Sequence, residues 1–256
     1  METPSYAKHV LEKLGFSVIK IPEGKKEEAD FQAMIKDCVV LIEEKTKLDD
    51  QSLLDEKQEQ FSKGKVCTSH IPLVRNNRLS GIVGKAASQL QSSSAMAHNF
   101  RLIWFTGAGT NAEAQYQQFI ATVYGTTNIF EMNSNTYRCC YFYRNSDFHR
   151  YKTIIDGAIA ACVTATTVNA KLCLNPLSPN YESLRDSPVA SAFGTAVVDP
   201  KATEANGTAL ILDTDIGRKN EQPLLDFLQE KYATKPLMKF DTGYSSVSVS
   251  LKKNQV

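Results

Sequence analysis

The sequence predicts an α/β protein built on a mixed central sheet, and three observations carry that expectation. Residues 4–14 place Tyr6, Val10, Leu11 and Leu14 at helical spacing, and three extended segments follow in close succession. The run Cys38-Val39-Val40-Leu41-Ile42 is apolar throughout, the pattern of a central strand covered on both faces. A helical pattern over 81–97 then leads into a short apolar strand at Arg101–Phe105.

In chain order, Gly15 ends the first helix, 16–21 reads as a strand and 22–28 as a charged turn. Segments 29–35 and 38–42 form the next two strands. The polar stretch 45–65 holds a helix over 50–61. Glycines follow the strand RLIWF, then come a helix at 112–124, strands at 128–132 and 137–143, and a helix over 148–163. From Thr164 the texture becomes turn-rich, with Asn175-Pro176 and Ser187-Pro188, so a soft boundary separates 1–163 from a C-terminal extension or recognition lobe at 164–256. Strands at 209–213 and 245–251 and a helix at 223–232 belong to that part, which can also extend the same sheet.

With 42% hydrophobic and 22% charged residues, the chain can bury a sizeable core. No apolar run approaches the ~20 residues needed to span a bilayer, and the N-terminus lacks the apolar centre of a signal peptide. The expectation is a soluble, cytoplasmic protein with no membrane partner. Its six cysteines show no C-x-x-C and no zinc-like spacing to the four histidines, which reads as free thiols in a reducing compartment. A net charge of +1 neither demands nor excludes nucleic acid, because a local basic patch is enough.

The informative stretch runs from Ala29 to Lys45, where a buried strand ends abruptly in Glu43-Glu44-Lys45. Residues i and i+2 of a strand share a face, so Glu43 and Lys45 point one way and Glu44 the other. If Lys36-Asp37 forms the turn, Ile35 faces Cys38, and counting outward sets Asp30 opposite Glu43. Directly opposed residues have Cβ atoms ~5 Å apart. Two carboxylates that close repel unless a cation lies between them.

These residues resemble the motif of the PD-(D/E)xK nuclease superfamily, with Ala29 where that family often has proline. The helix, three strands, helix and strand of the first ~105 residues are similar to its restriction-endonuclease-like αβββαβ core. The resemblance implies metal-assisted hydrolysis of a nucleic-acid phosphodiester, DNA favoured. Asp30, Glu43 and the main-chain carbonyl of Glu44 would hold Mg²⁺, with Mn²⁺ as a substitute. Lys45 would orient water and stabilise developing charge. Lys85 and Gln89, on the helix such enzymes place beside the site, would contact substrate. Some members carry an extra acid on the first helix, where only Glu2 and Glu12 are available. A compact defence or restriction endonuclease, acting as a homodimer, follows by analogy.

Two other readings compete. Gly107-Ala108-Gly109, opening a helix after a strand, with Glu131 further on, is similar to a dinucleotide-binding turn of the NAD type. A capped βα turn gives the same pattern. Basic and aromatic residues interleave at 137–144 and 149–152, and Arg75, Arg78 and Lys85 could follow a phosphate backbone, which would suit a non-catalytic nucleic-acid-binding module.

Overall fold

The apolar stretches and their polar caps set the architecture of the protein, described in a computed structural model over residues 5–22, 24, 27–134, 136–164 and 167–249. Ser5 caps the first helix by accepting from the Lys8 amide at 3.0 Å, and α1 spans Tyr6–Lys13. Strands β1 (Ser17–Lys20), β2 (Phe31–Ile35) and β3 (Cys38–Lys47) follow. Then come α2 (Gln51–Ser62), β4 (Cys67–Pro72), α3 (Asn77–Ser92), β5 (Phe100–Gly107) and α4 (Ala112–Tyr124). Next are β6 (Thr127–Glu131), β7 (Tyr137–Phe142), a short α5 (Asp147–Arg150), β8 (Gly157–Val163) and β9 (Val168–Leu174). The described residues end with α6 (Tyr181–Arg185), α7 (Pro188–Phe193), β10 (Val197–Val198), α8 (Pro200–Ala205), β11 (Ala209–Leu212), α9 (Glu221–Tyr232), β12 (Leu237–Phe240) and β13 (Gly243–Ser248).

Seven strands form the main sheet in the order β1-β2-β3-β5-β8-β9-β10. The first three are an antiparallel meander, β3, β5 and β8 are parallel, β9 returns antiparallel, and β10 lies parallel to it. The mixed central sheet is therefore present. One face carries Leu41, Ile103 and Phe105 against Leu79, Val83, Phe119 and Val123 of α3 and α4. The other carries Val40, Ile42 and Trp104 against Ala7 and Leu11 of α1 and Leu184 and Val189 beyond β9. Each fully buried Leu, Ile or Phe is worth about 1.5–3 kcal/mol, and β3 and β5 are covered on both sides, so this pair anchors the fold.

A second sheet, β11-β7-β6-β12, packs Leu210, Leu212 and Phe142 against Leu224 and Leu228 of α9, while its other side joins the first core through Tyr141 and Ile211. A two-stranded ribbon pairs β13 with β4.

The helix expected over 148–163 is overturned. Only Asp147–Arg150 is helical, and 157–163 is β8, enclosed between β5 and β9. Alanine favours helix locally, but this run is buried along nearly its whole length, and tertiary packing overrides the preference. The texture change at Thr164 falls in the turn of the β8–β9 hairpin, so the chain beyond it first continues the main sheet. Part of the 22–28 turn, and 250–251 of the last expected strand, lie outside the described residues. All six cysteines are free thiols. Among the described residues no helix is long and apolar enough to cross a membrane.

Candidate active site

The β2–β3 hairpin assembles the site. Lys36 takes up a left-handed conformation (φ 51°), which closes a two-residue turn and pairs Ile35 with Cys38 and Phe31 with Ile42. One more step in that register sets Asp30 opposite Glu43, as the hairpin count requires.

Glu43 is fully buried. Its Oε1 accepts from the Lys45 ammonium, while its Oε2, when the carboxyl is ionised, meets no donor among the described residues. Burial pushes the Glu43 carboxyl up from 4.5 to about 7, and the Asp30 carboxylate within hydrogen-bonding reach pushes it the same way. The Lys45 hydrogen bond opposes both and does not cancel them. A buried carboxylate with one bare oxygen is an expensive arrangement unless it has a use.

The neighbours hold this geometry from three directions. The Glu44 amide donates to Asp30 Oδ2 at 2.8 Å, fixing one carboxylate to the strand that carries the other. The Ala29 amide donates to Ser93 Oγ at 2.8 Å, which ties the approach to β2 onto the end of α3. Lys45 Nζ also donates to Gln89 Oε1 at 2.8 Å. Gln89 reaches it because Leu79, Val83, Ala86 and Leu90 bury one stripe of α3 against the sheet. An ammonium has three donors; two of Lys45's are engaged among the described residues, and the third remains for substrate or water.

Glu44 points to the opposite face, as the strand period requires. Its carboxylate accepts from the Ala7 amide at 2.9 Å and from Ser5 Oγ, so it stabilises the N-terminus of α1. Lys85, one turn before Gln89, pairs with Glu27 at 3.5 Å on the surface and not with the acid pair. Glu12 is paired with Lys8 at 3.9 Å on the exposed face of α1, and Glu2 lies outside the described residues. Lys47 follows Lys45 on the same face. Burial, and then the charge of Arg78, hold its ammonium below the usual lysine range.

Among the described residues there is no group of three or more His, Cys, Asp or Glu that could hold a metal ion. The donor set here is smaller: two carboxylates and the main-chain carbonyl of Glu44. A hard cation that keeps several waters suits such a set, and Mg²⁺ is commonly held by one or two carboxylates. The bare Glu43 Oε2 beside Asp30 is the observation that fits a cation to these residues.

The glycine turn after β5 has a different content. The Asp49 carboxylate accepts from the amides of Thr110 and Asn111, from Asn111 Nδ2 at 2.9 Å and from Gln115 Nε2 at 3.3 Å. Gly109 has φ 98°, and a Cβ there would meet Asp49 Oδ2 at 2.6 Å. A side-chain carboxylate thus takes the amides that a pyrophosphate would need. Glu131 lies on β6, in the second sheet, paired with Arg138 at 3.2 Å. Sequence reading missed Asp49 because its partners lie about sixty positions away; the only local signal was an acid just beyond a strand end. Comparison with protein-family models, with curated proteins and with solved structures gives no match to this chain.

Proposed function

We propose that the chain is a Mg²⁺-dependent nuclease of the PD-(D/E)xK type, hydrolysing phosphodiester bonds in DNA, with Asp30, Glu43 and Lys45 as its catalytic residues. The observation that carries the reading is the buried Glu43 carboxylate, bare at Oε2, held against Asp30 with Lys45 on the same face. Perturbed carboxylates with a specific charged neighbour are more frequent at functional sites than elsewhere.

Asp30 and Glu43, with the Glu44 carbonyl, would hold the cation. A bound Mg²⁺ supplies Lewis-acid polarisation of a phosphoryl oxygen and neutralises charge on the substrate. Lys45 directs its remaining donor toward the attacking water and the phosphoryl oxygens, where negative charge grows as the reaction proceeds. Gln89 fixes the lysine side chain, so the ammonium does not have to be ordered during the reaction. Glu44 keeps β3 and α1 in register and takes no part through its side chain.

The test is incubation of the protein with supercoiled plasmid and with single-stranded RNA, with Mg²⁺, Mn²⁺ or EDTA. Nicked or linear plasmid that requires the cation, and disappears in Asp30→Asn, is expected. Intact nucleic acid under every condition removes the proposal.

A further inference from the structure

Away from the acid pair, four arginines from separate parts of the chain converge on one cleft. Arg75 precedes α3, Arg144 lies in the turn after β7, Arg150 ends α5, and Arg218 comes from the segment between β11 and α9; His149 joins them. The cleft has a volume of about 420 Å³, and Asn145 and Ser146 supply its remaining lining. That volume lies within the range of small-ligand pockets, but those are mostly apolar and this one is not.

Three of the four, Arg75, Arg144 and Arg218, are held in place by hydrogen bonds. Arg75 donates to Ser80 Oγ at 2.8 Å and to Asp147 Oδ1 at 3.2 Å. Asp147 is fully buried and lies 3.9 Å from Arg150 as well. Arg218 donates to the carbonyls of Gly125 and Thr126 and lies over the Phe142 ring, 4.8 Å from its centroid. No carboxylate lies within ion-pair distance of it among the described residues. Asp147, Asp215, which pairs with Arg144 at 3.1 Å, and the more distant Asp241 beside Arg218 offset part of the positive charge. Crowding has a cost: burial and then the Arg75 charge hold the Arg218 guanidinium below its usual range. His149 is likewise depressed, by burial first and then by Lys152 and Arg144. A structural core has no need to bring like charges together in this way; an anion would relieve them.

One helix, α3, connects the cleft to the acid pair. Arg75 is at one end of α3 and Gln89 near the other, and the twelve steps from Asn77 to Gln89 rise about 18 Å at ~1.5 Å each. At ~3.4 Å per step of one DNA strand, that is about five phosphates. Gly84 lies between, where an added Cβ would meet Tyr151 Oη at 2.8 Å, so the segment after α5 packs directly across α3.

We propose that this cleft binds backbone phosphates of the nucleic acid on one side of the cleavage site, with Arg144, Arg150, Arg75 and Arg218 as the contacts. The guanidinium fork matches phosphate geometry, and no Phe, Tyr or Trp lines the cleft, so that His149 is its one aromatic ring against four arginines. The choice of nucleic acid over a free phosphate rests on the nuclease reading; the anion site does not.

The test uses the full chain in EDTA, so that binding is measured without cleavage. Fluorescence anisotropy of a labelled DNA duplex, followed across a salt series, compares wild type with Arg144→Ala/Arg150→Ala, whose side chains are largely exposed. Lys13→Ala/Lys171→Ala removes the same charge from exposed positions elsewhere. The cleft variant should weaken binding ~10-fold or more, and its log–log salt dependence should be shallower by about 2, since each phosphate contact contributes ~0.9. The control pair should change little. Unchanged binding in the cleft variant, or equal losses in both pairs, would overturn the proposal. So would binding of tripolyphosphate by a protein that binds neither DNA nor RNA. Binding that the cleft variant loses, in a protein that never cleaves with Mg²⁺, would support the cleft while removing the nuclease reading.

Discussion

Glu43 within β3 and Asp49 just beyond its end are two acids six residues apart whose surroundings are opposite. Asp49 accepts from two backbone amides and two side-chain amides, which lock the β3 exit to the N-terminus of α4. Glu43, fully buried in β3, accepts from one lysine and leaves its other oxygen bare beside a second carboxylate. Asp49 stabilises by satisfying donors that would otherwise be orphaned at a helix start. Glu43 destabilises what surrounds it, because a desolvated charge near a like charge is costly. Acids of the first kind build folds. Those of the second kind persist where a ligand or a reaction uses them, and the pair can be separated by experiment.

The largest expected effect is on turnover. Lys45→Ala should lower Mg²⁺-dependent plasmid cleavage about 10²–10³-fold, the range for removing one preorganised electrostatic contact. The fold should survive, because Glu43 without its lysine takes up a proton in preference to unfolding the chain. Neutralising that acid would also weaken cation binding, so the assay belongs at pH 8.5 as well as 7. Full activity in this variant would break the contrast.

Next comes a pH effect on Glu43. Its folded-state carboxyl titrates near 7 instead of 4.5. Below about 4.5 both folded and unfolded chains hold the proton, and between about 4.5 and 7 only the folded chain does, so this group's contribution to stability falls as pH rises through that window. The fall is at most about 3.5 kcal/mol, at ~1.4 kcal/mol per unit. Glu43→Gln lacks it. Urea melts in EDTA should show the variant gaining on wild type from pH 5 to pH 8, and a flat difference would show that the carboxylate is comfortable.

For Asp49 the expectation reverses. Asp49→Ala strands the amides of Thr110 and Asn111 and should cost about 1–3 kcal/mol at any Mg²⁺ concentration. Activity per folded molecule should hold. Loss of cleavage without loss of stability would place Asp49 in the catalytic site and erase the distinction.

The legibility of these residues followed the range of their interactions. The hairpin register needed only strand period and a turn length, so the opposition of Asp30 to Glu43 and the outward direction of Glu44 were readable from local sequence. Apolar spacing marked α3 as a helix, while the place of Gln89 beside the site was only what the family resemblance implied. Asp49 was not, since its meaning depends on a turn far along the chain. The arginine cleft was half visible: Arg75 and the basic cluster near His149 stood out singly, but nothing local joins them to Arg218. The β8 segment failed for a related reason, because alanine preference is local while enclosure between β5 and β9 is not.

The smallest effect is also the most discriminating. Asp30 accepts from the Glu44 amide through Oδ2, and asparagine can keep that bond through its own oxygen while losing the charge. In EDTA, Asp30→Asn should therefore melt at the same temperature as wild type or slightly above it, a change within about 0.5 kcal/mol. Added Mg²⁺ should stabilise wild type by mass action, about 1.4 kcal/mol at ten times Kd, and the variant much less. A structural acid like Asp49 would behave otherwise: its replacement would destabilise the protein with or without the cation. If Asp30→Asn loses stability in EDTA and wild type ignores Mg²⁺, then Asp30 belongs with Asp49, the bare oxygen of Glu43 needs another explanation, and the metal site is gone.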